Sequence, residues 1–134
     1  MLYHTNTHGP SEAGFRAGIM KAISEAMANG TNSVLLTTHT LENLKGVMTS
    51  VLGEDAVKAF AKAKIATVEN VTIHLETERI RSSFSNGVVF APFVSPTLLA
   101  KALADPRATD SVYVPWAEAE LQAYMEAHPT SNVV

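Results

Sequence analysis

Two short polar segments, Thr5–Gly9 and Thr37–Thr40, have the residue types and positions needed to bind an anion. Each follows an apolar run and precedes an amphipathic stretch, so each is expected to join a strand to a helix. Hydroxyl and imidazole groups at the amino end of a helix, where backbone N–H groups are unpaired, suit a phosphate or a carboxylate. The candidate ligand-binding residues in these segments are Thr5, Thr7, His8, Thr37, Thr38, His39 and Thr40.

Trp116, the only tryptophan of the chain, follows the last predicted strand and is expected at the same edge of the sheet as these loops. An indole at that place either stacks on a ligand or packs beneath the next helix. We therefore include Trp116 among the candidate ligand-binding residues. The whole prediction requires that the first two strands be parallel neighbours.

Three histidines, His4, His8 and His39, suggest a metal site at first sight. The spacing of His4 and His8 repeats that of zinc ligands on a helix. Here it falls in a strand or loop, where residues i and i+4 are about 13 Å apart. No carboxylate stands nearby in the sequence to complete a ligand set, so we predict no metal site.

His74 and Glu76 provide an alternative with catalytic chemistry. Two residues apart on one face of a strand, they lie about 7 Å from each other and can flank a substrate as acid and base. A small hydrolase is therefore a weaker hypothesis. The sequence contains no Gly-x-Ser-x-Gly elbow and no phosphate-binding glycine loop. It names no reaction and no cofactor, and it leaves open whether the protein is an enzyme.

Hydrophobic periodicity predicts the elements that carry these residues. Phe15, Ile19 and Ile23 recur every four residues in a helix, and the apolar run 34–36 is typical of a buried strand. From residue 71 the period changes to two, and Asn86-Gly87 is a strong turn signal before another apolar run. We therefore expect a β-hairpin around residues 86–87, followed by a helix, a strand and a last helix.

This order predicts an α/β fold, a layered, Rossmann-like sandwich with a mostly parallel, mixed sheet of about five strands flanked by helices and containing one β-hairpin. Residues 1–128 are expected to form a single domain and residues 129–134 a flexible C-terminal tail. Over roughly the first 45 residues the arrangement resembles the carboxy-terminal domain of pyruvate kinases, whose hydroxyl-rich loops hold a phosphorylated effector. A resemblance of fold without a shared motif carries no function across.

Composition limits the partners. The net charge of -3 gives no basic field, so nucleic acid is not an expected partner. No apolar run approaches the roughly 20 residues that a membrane span requires, and the absence of cysteine fits a reducing compartment; we expect a cytoplasmic protein. The charged fraction of 17% is below the usual value of about 25%. This low charge favours extra burial, and a homo-oligomeric interaction module is the main alternative to a protein that binds a small anion.

Overall fold

The elements of the fold begin and end close to where the periodicity of the sequence changes. The computed structural model describes the backbone of residues 1–134 and every side chain except that of Asn43. Within this backbone there are seven strands and five helices. The strands are β1 (Leu2–His4), β2 (Ser33–Thr37), β3 (Ile65–Val68), β4 (Val71–Glu76), β5 (Gly87–Pro92), β6 (Ala108–Val114) and β7 (Asn132–Val133). The helices are α1 (Glu12–Ala28), α2 (Leu41–Leu52), α3 (Glu54–Ala63), α4 (Pro96–Leu103) and α5 (Glu118–Ala127).

The strands form one sheet in the order β3-β4-β2-β5-β6-β1-β7. The β3–β4 pair is antiparallel, and each other pair of neighbours in the described sheet is parallel. The predicted class, a layered α/β fold with a mixed, mostly parallel sheet, is confirmed. The sheet has seven strands rather than about five, because periodicity does not reveal short edge strands such as β3 and β7, which have 4 and 2 residues.

The β-hairpin is not where the sequence suggested. β4 and β5 do not pair, because β2 lies between them and is parallel to both. Gly87 begins β5 at a place where a Cβ atom would collide with the carbonyl oxygen of Ser33 on β2. The glycine therefore allows a close approach of two strands instead of forming a turn. The hairpin joins β3 to β4 through Glu69 and Asn70, whose φ values of 53° and 66° fit a type I′ turn.

Helices α1, α2 and α3 pack on one face of the sheet, and α4 and α5 pack on the other. Successive side chains of a strand point to opposite faces, so Val34 of β2 enters the first core and Leu35 enters the second. Two of the helices that start beside the carboxyl edge of the sheet, α1 and α4, have serine caps. Ser11 accepts the N–H of Gly14 ahead of α1, and Ser95 accepts the N–H of Leu98 ahead of α4.

The last residues of the chain lie against the sheet. Residues 129–134 are the segment that the sequence suggested to be a flexible tail. In the structure they contain β7, which pairs in parallel with β1. The Ser131 hydroxyl lies 2.8 Å from Nδ1 of His4 and 2.9 Å from the Tyr124 hydroxyl. These contacts connect the segment both to the sheet and to α5.

The helices are of ordinary length for a layered domain. The longest, α1, has 17 residues. Among the described residues, none of the helices combines the length and the apolar character needed to cross a bilayer.

Candidate functional site

The two predicted ligand loops lie at the same edge of the sheet but do not meet as neighbours. β1 and β2 run in the same direction, so Thr5–Gly9 and Thr37–Thr40 both follow carboxyl ends of strands. β5 and β6 lie between them in the sheet. The assumption that the first two strands are adjacent is therefore wrong, and the predicted residues separate into two groups.

In the first loop, Thr5–Gly9, the threonine hydroxyls are bonded to each other. The hydroxyls of Thr5 and Thr7 are 2.7 Å apart and hydrogen-bond to each other, Thr5 is buried, and His8 is exposed. The N–H of Gly9 donates to the carbonyl oxygen of Trp116. The loop thus contacts the backbone of Trp116 through Gly9, and its threonine hydroxyls bond to each other within the loop.

The second loop lies at a topological switch point between β2 and β5. From β2 the chain enters α2 on one face, and from β5 it enters α4 on the other face. The chain then continues to β4 on one side and to β6 on the other. Such a divergence leaves a crevice beyond the two strand ends, which is where open α/β sheets bind their ligands.

His39 bridges this crevice through both of its ring nitrogens. Nε2 accepts the backbone N–H of Ser95 at 3.0 Å, and Nδ1 lies 3.0 Å from Oε1 of Glu78. Because Nε2 is an acceptor, Nδ1 carries the proton and donates it to Glu78. The ring connects the end of β2 to the start of α4, and it offers a ligand its face rather than a free nitrogen.

One hollow of the crevice, on the side of α2, has a volume of about 340 Å³. We call it the Trp116 hollow; its lining residues are Thr38, His39, Leu44, Pro92, Phe93 and Trp116. The indole meets the Phe93 ring edge-on, with centroids 5.4 Å apart and an interplanar angle of 80°. Trp116 remains 49% exposed. The structure therefore brings Thr38, His39 and Trp116 of the predicted set together.

Phe93 has a backbone conformation that is unusual for its side chain. Its φ of 57° lies in the left-handed region, which bulky residues rarely adopt and which costs of order 1 kcal/mol or more. Its N–H donates to the carbonyl oxygen of Val114 at 2.8 Å. The ring lies nearly parallel to that of Phe15, with centroids 6.3 Å apart. Strain of this kind occurs preferentially at functional sites, and here it places an aromatic ring beside Trp116.

On the other side of the sheet, a charged group is buried beneath the loop of residues 77–86. We call Glu76, Ser82, Asp105 and Arg107 the Arg107 cluster. Arg107 donates all five of its N–H groups: two to Glu76, two to Asp105 and one to the carbonyl oxygen of Phe84. Ser82 donates to Glu76 through its hydroxyl at 2.8 Å. No N–H group of Arg107 is left for a ligand.

The cluster shifts the pKa values of its members. Burial alone would raise the pKa of Glu76, but hydrogen bonds from Arg107 and Ser82 outweigh it and the pKa is lowered. Hydrogen bonds from Arg107 lower the pKa of Asp105 in spite of its burial. Hydrogen bonds to Asp105 and Glu76 raise the pKa of Arg107. All three groups are therefore charged at neutral pH and bonded to one another.

The pair suggested for a hydrolase does not have the expected surroundings. β4 alternates as predicted, yet Glu76 is only 4% exposed, because the loop of residues 77–86 covers it. Both of its carboxylate oxygens already accept hydrogen bonds from Arg107. The ring of His74 packs edge-on against Phe84 with centroids 5.7 Å apart. These contacts within the protein do not favour acid–base catalysis by this pair, and the hydrolase stays an untested prediction.

The histidines do not form a cluster. His4 is buried on β1 beside Ser131, whereas His39 bridges the ends of β2 and β5. Among the described side chains, no group of three or more histidines and carboxylates is placed to hold a metal ion.

Comparisons with protein-family models, with curated proteins and with solved structures find no match to this chain. The site is therefore defined by its own geometry.

Sequence reasoning missed Phe93 and Arg107. Phe93 directly follows β5, so the strand-end rule applied to β5 as well as β2 would have indicated it. Nothing local marks Arg107, which meets Glu76 from 31 residues away in the sequence.

Proposed function

We propose that the protein binds a small molecule in the Trp116 hollow, with a flat ring against the indole and an anionic group toward the start of α2. The observation that carries this proposal is the half-exposed Trp116, packed edge-on against a strained Phe93 at a topological switch point. The volume of about 340 Å³ lies at the small end of the range for ligand pockets, about 300 to 1,000 Å³. It suits a small ligand that carries an aromatic group and an anionic group.

The aromatic part of the proposal rests on how firmly the indole is supported. The carbonyl oxygen of Trp116 accepts the N–H of Gly9, and the Phe93 ring lies beneath the indole between it and Phe15. A supported indole loses little conformational freedom when a ring stacks on it. Stacking of two aromatic rings contributes about 0.5 to 1.5 kcal/mol beyond the area buried.

The anionic part rests on the first turn of α2. Thr38 precedes this helix and Leu44 lies in its first turns, and both line the hollow. Unpaired N–H groups at the amino end of a helix favour phosphate or carboxylate oxygens. The Thr38 hydroxyl makes a long bond of 3.3 Å to the carbonyl oxygen of Thr40, and it can turn toward a ligand oxygen instead.

Trp116 is the only tryptophan, so its fluorescence reports directly on this hollow. We would titrate the protein with phenyl phosphate and adenosine monophosphate, which combine a ring with an anion. Inorganic phosphate and adenosine each supply one of these parts. The proposal predicts a saturable change in emission with the combined ligands at concentrations at which the separate parts have little effect.

Thr38→Val should weaken binding by about threefold to tenfold, the loss of one hydrogen bond. Thr67→Val, at an exposed position on the distant strand β3, is the matched control and should not change it. Trp116→Ala should abolish the thermal stabilisation by the same ligands. If none of the four compounds gives a saturable change, or if Thr38→Val and Thr67→Val behave alike, the proposal is wrong.

One observation favours the alternative, self-association. β3 lies at the edge of the sheet, and its residues Ile65-Ala66-Thr67-Val68 carry no charge that would prevent another strand from pairing with it. We would measure the mass in solution by light scattering, and compare Thr67→Lys. A dimer that dissociates on this substitution would support an interaction module; a monomer at all concentrations would exclude it.

A further inference from the structure

A cleft of about 690 Å³ lies on the face of the sheet opposite the Trp116 hollow. Leu35 and Val89 form its apolar floor, α4 forms one wall and the loop after β4 forms the other. We call it the Lys101 cleft. The residues that decide its chemistry are Thr37, Glu76, Arg81, Leu98, Lys101 and Arg107.

The acids of the Lys101 cleft already have partners within the protein. Glu76 and Asp105 accept hydrogen bonds from Arg107, which has no N–H group left. Glu78, at the rim, accepts a hydrogen bond from His39 at 3.0 Å. A cationic ligand would therefore compete with well-formed internal bonds.

Two positively charged side chains of the cleft, in contrast, have few or no partners within the protein. Among the described residues, Lys101 makes neither a hydrogen bond nor an ion pair. The Arg81 side chain is 86% exposed and approaches Glu76 only to 3.6 Å. Two cations beside the same apolar floor thus have N–H groups to offer to a ligand.

Thr37 supplies an independent observation. It is 8% exposed, and it points to the same face of β2 as Leu35, into the cleft. Among the described side chains its hydroxyl has no hydrogen-bond partner. The hydroxyl lines the cleft, so it can donate to a ligand there. A ligand oxygen at this place would satisfy it.

We propose that the Lys101 cleft binds a small monocarboxylate with an apolar chain. The carboxylate lies between Lys101 and Arg81 within reach of Thr37, and the chain lies against Leu98, above the buried Leu35 and Val89. A single negative charge fits better than a phosphate dianion, because the three acids and three bases that line the cleft balance each other in formal charge. This proposal is independent of the Trp116 hollow.

Three probes of one size separate the contributions of charge and apolar area: hexanoate, hexanol and hexylammonium. We would follow the backbone amide signals of the full chain by NMR during titration with each. Hexanoate should shift the signals of β2, α4 and the loop after β4 in a saturable manner. Hexanol should bind more weakly by at least about tenfold, the value of one charge-assisted hydrogen bond, and hexylammonium should not bind in the cleft.

The variants separate binding from folding. Lys101→Met and Arg81→Met should each weaken hexanoate binding by about threefold to tenfold without changing the melting temperature, since both side chains are exposed. Lys58→Met, on α3 at the opposite face, is the matched control. Equal affinity for hexanoate and hexanol, tighter binding of hexylammonium, or hexanoate shifts confined to the neighbourhood of Trp116 would each overturn the proposal.

Discussion

Arg107 binds Glu76 side by side, with each terminal guanidinium nitrogen 3.0 Å from a different carboxylate oxygen. This pair connects the end of β4 to the start of β6. The hydroxyl of Ser82, in the loop after β4, also donates to Glu76, so this loop is attached to the pair as well. Two strands that are not neighbours in the sheet are thus joined by a buried charge pair. The bonds of Arg107 are thus all made within the protein, and both members of the pair line the cleft beside it.

Arg107→Met should destabilise the protein strongly, because it leaves the buried Glu76 and the half-buried Asp105 without their main donor. Loss of one partner of a buried ion pair costs about 3 to 5 kcal/mol. Glu76→Gln should cost less, since Arg107 keeps its bonds to Asp105. Urea unfolding measures both, and Arg16→Met, which breaks the exposed pair with Glu12, is the control. A cost for Arg107→Met no larger than that of Arg16→Met would show that the cluster does not stabilise the fold.

Two glycines inside helices should respond to alanine in opposite directions. At Gly18 of α1 a Cβ atom would lie 2.7 Å from atoms of Phe90 and Val114, so Gly18→Ala should cost about 1 to 3 kcal/mol through overpacking. At Gly46 of α2 nothing lies within 4 Å of the same position, and Gly46→Ala should stabilise by about 0.5 to 1 kcal/mol. Thermal unfolding of the two variants tests the packing of α1 on the sheet. Equal effects would contradict the close approach described for Gly18.

The sequence predicted the fold class correctly because helix and strand periods are local properties. It misplaced the hairpin because the same dipeptide serves two physical purposes. Asn86-Gly87 is a common turn signal, yet here Gly87 is needed where β5 passes the backbone of Ser33. The actual turn, Glu69-Asn70, has a first residue that seldom adopts positive φ, so no local signal marked it.

This turn gives a direct test. Both residues have positive φ, and Asn-Gly is the pair that a type I′ turn prefers. Replacing Glu69-Asn70 by Asn-Gly should stabilise the protein, since left-handed backbone costs most other residues about 1 kcal/mol or more. The midpoint of urea unfolding should rise. Asn32 also has positive φ but lies outside a hairpin, so Asn32→Gly serves as the comparison. An unchanged or lower midpoint for the Asn-Gly turn variant would contradict the assignment of a type I′ turn.

The candidate site could be predicted only in part. The rule that ligands bind beyond the carboxyl ends of parallel strands located Thr38, His39 and Trp116, and the structure brings them together. It did not reveal that β1 pairs with β6 rather than with β2. Strand order is decided by contacts between distant segments, such as Tyr3 with Val112, which no local pattern encodes. For the same reason the Lys101 cleft, assembled from β2, α4 and the loop after β4, could not be foreseen.

The buried His4 and the half-buried His74 should make the protein less stable at mildly acidic pH. Burial lowers the pKa of His4 and is the largest influence on His74, whose pKa is also lowered. Each has a ring nitrogen without a partner among the described groups, Nε2 in His4 and Nδ1 in His74. The unfolded chain therefore binds protons that the folded chain does not. The stabilising contribution is present above the ordinary pKa of 6.5 and is lost as pH falls below it, by up to about 1.4 kcal/mol per pH unit for each histidine.

His4→Asn should reduce this dependence, because the amide group takes the position of Nδ1, keeps a hydrogen bond to Ser131 and does not titrate between pH 5 and 7. The free energy of unfolding in urea, measured across that range, should fall less steeply for His4→Asn than for the wild type. Glu76 and Asp105 also have lowered pKa values, but their contribution is lost only at lower pH, near and below the ordinary carboxyl pKa of about 4. His8→Asn, at an exposed position, is the control. If His4→Asn and His8→Asn show the same pH dependence as the wild type, protonation of His4 does not limit the stability of the fold, and the contact between β7 and β1 does not depend on its charge.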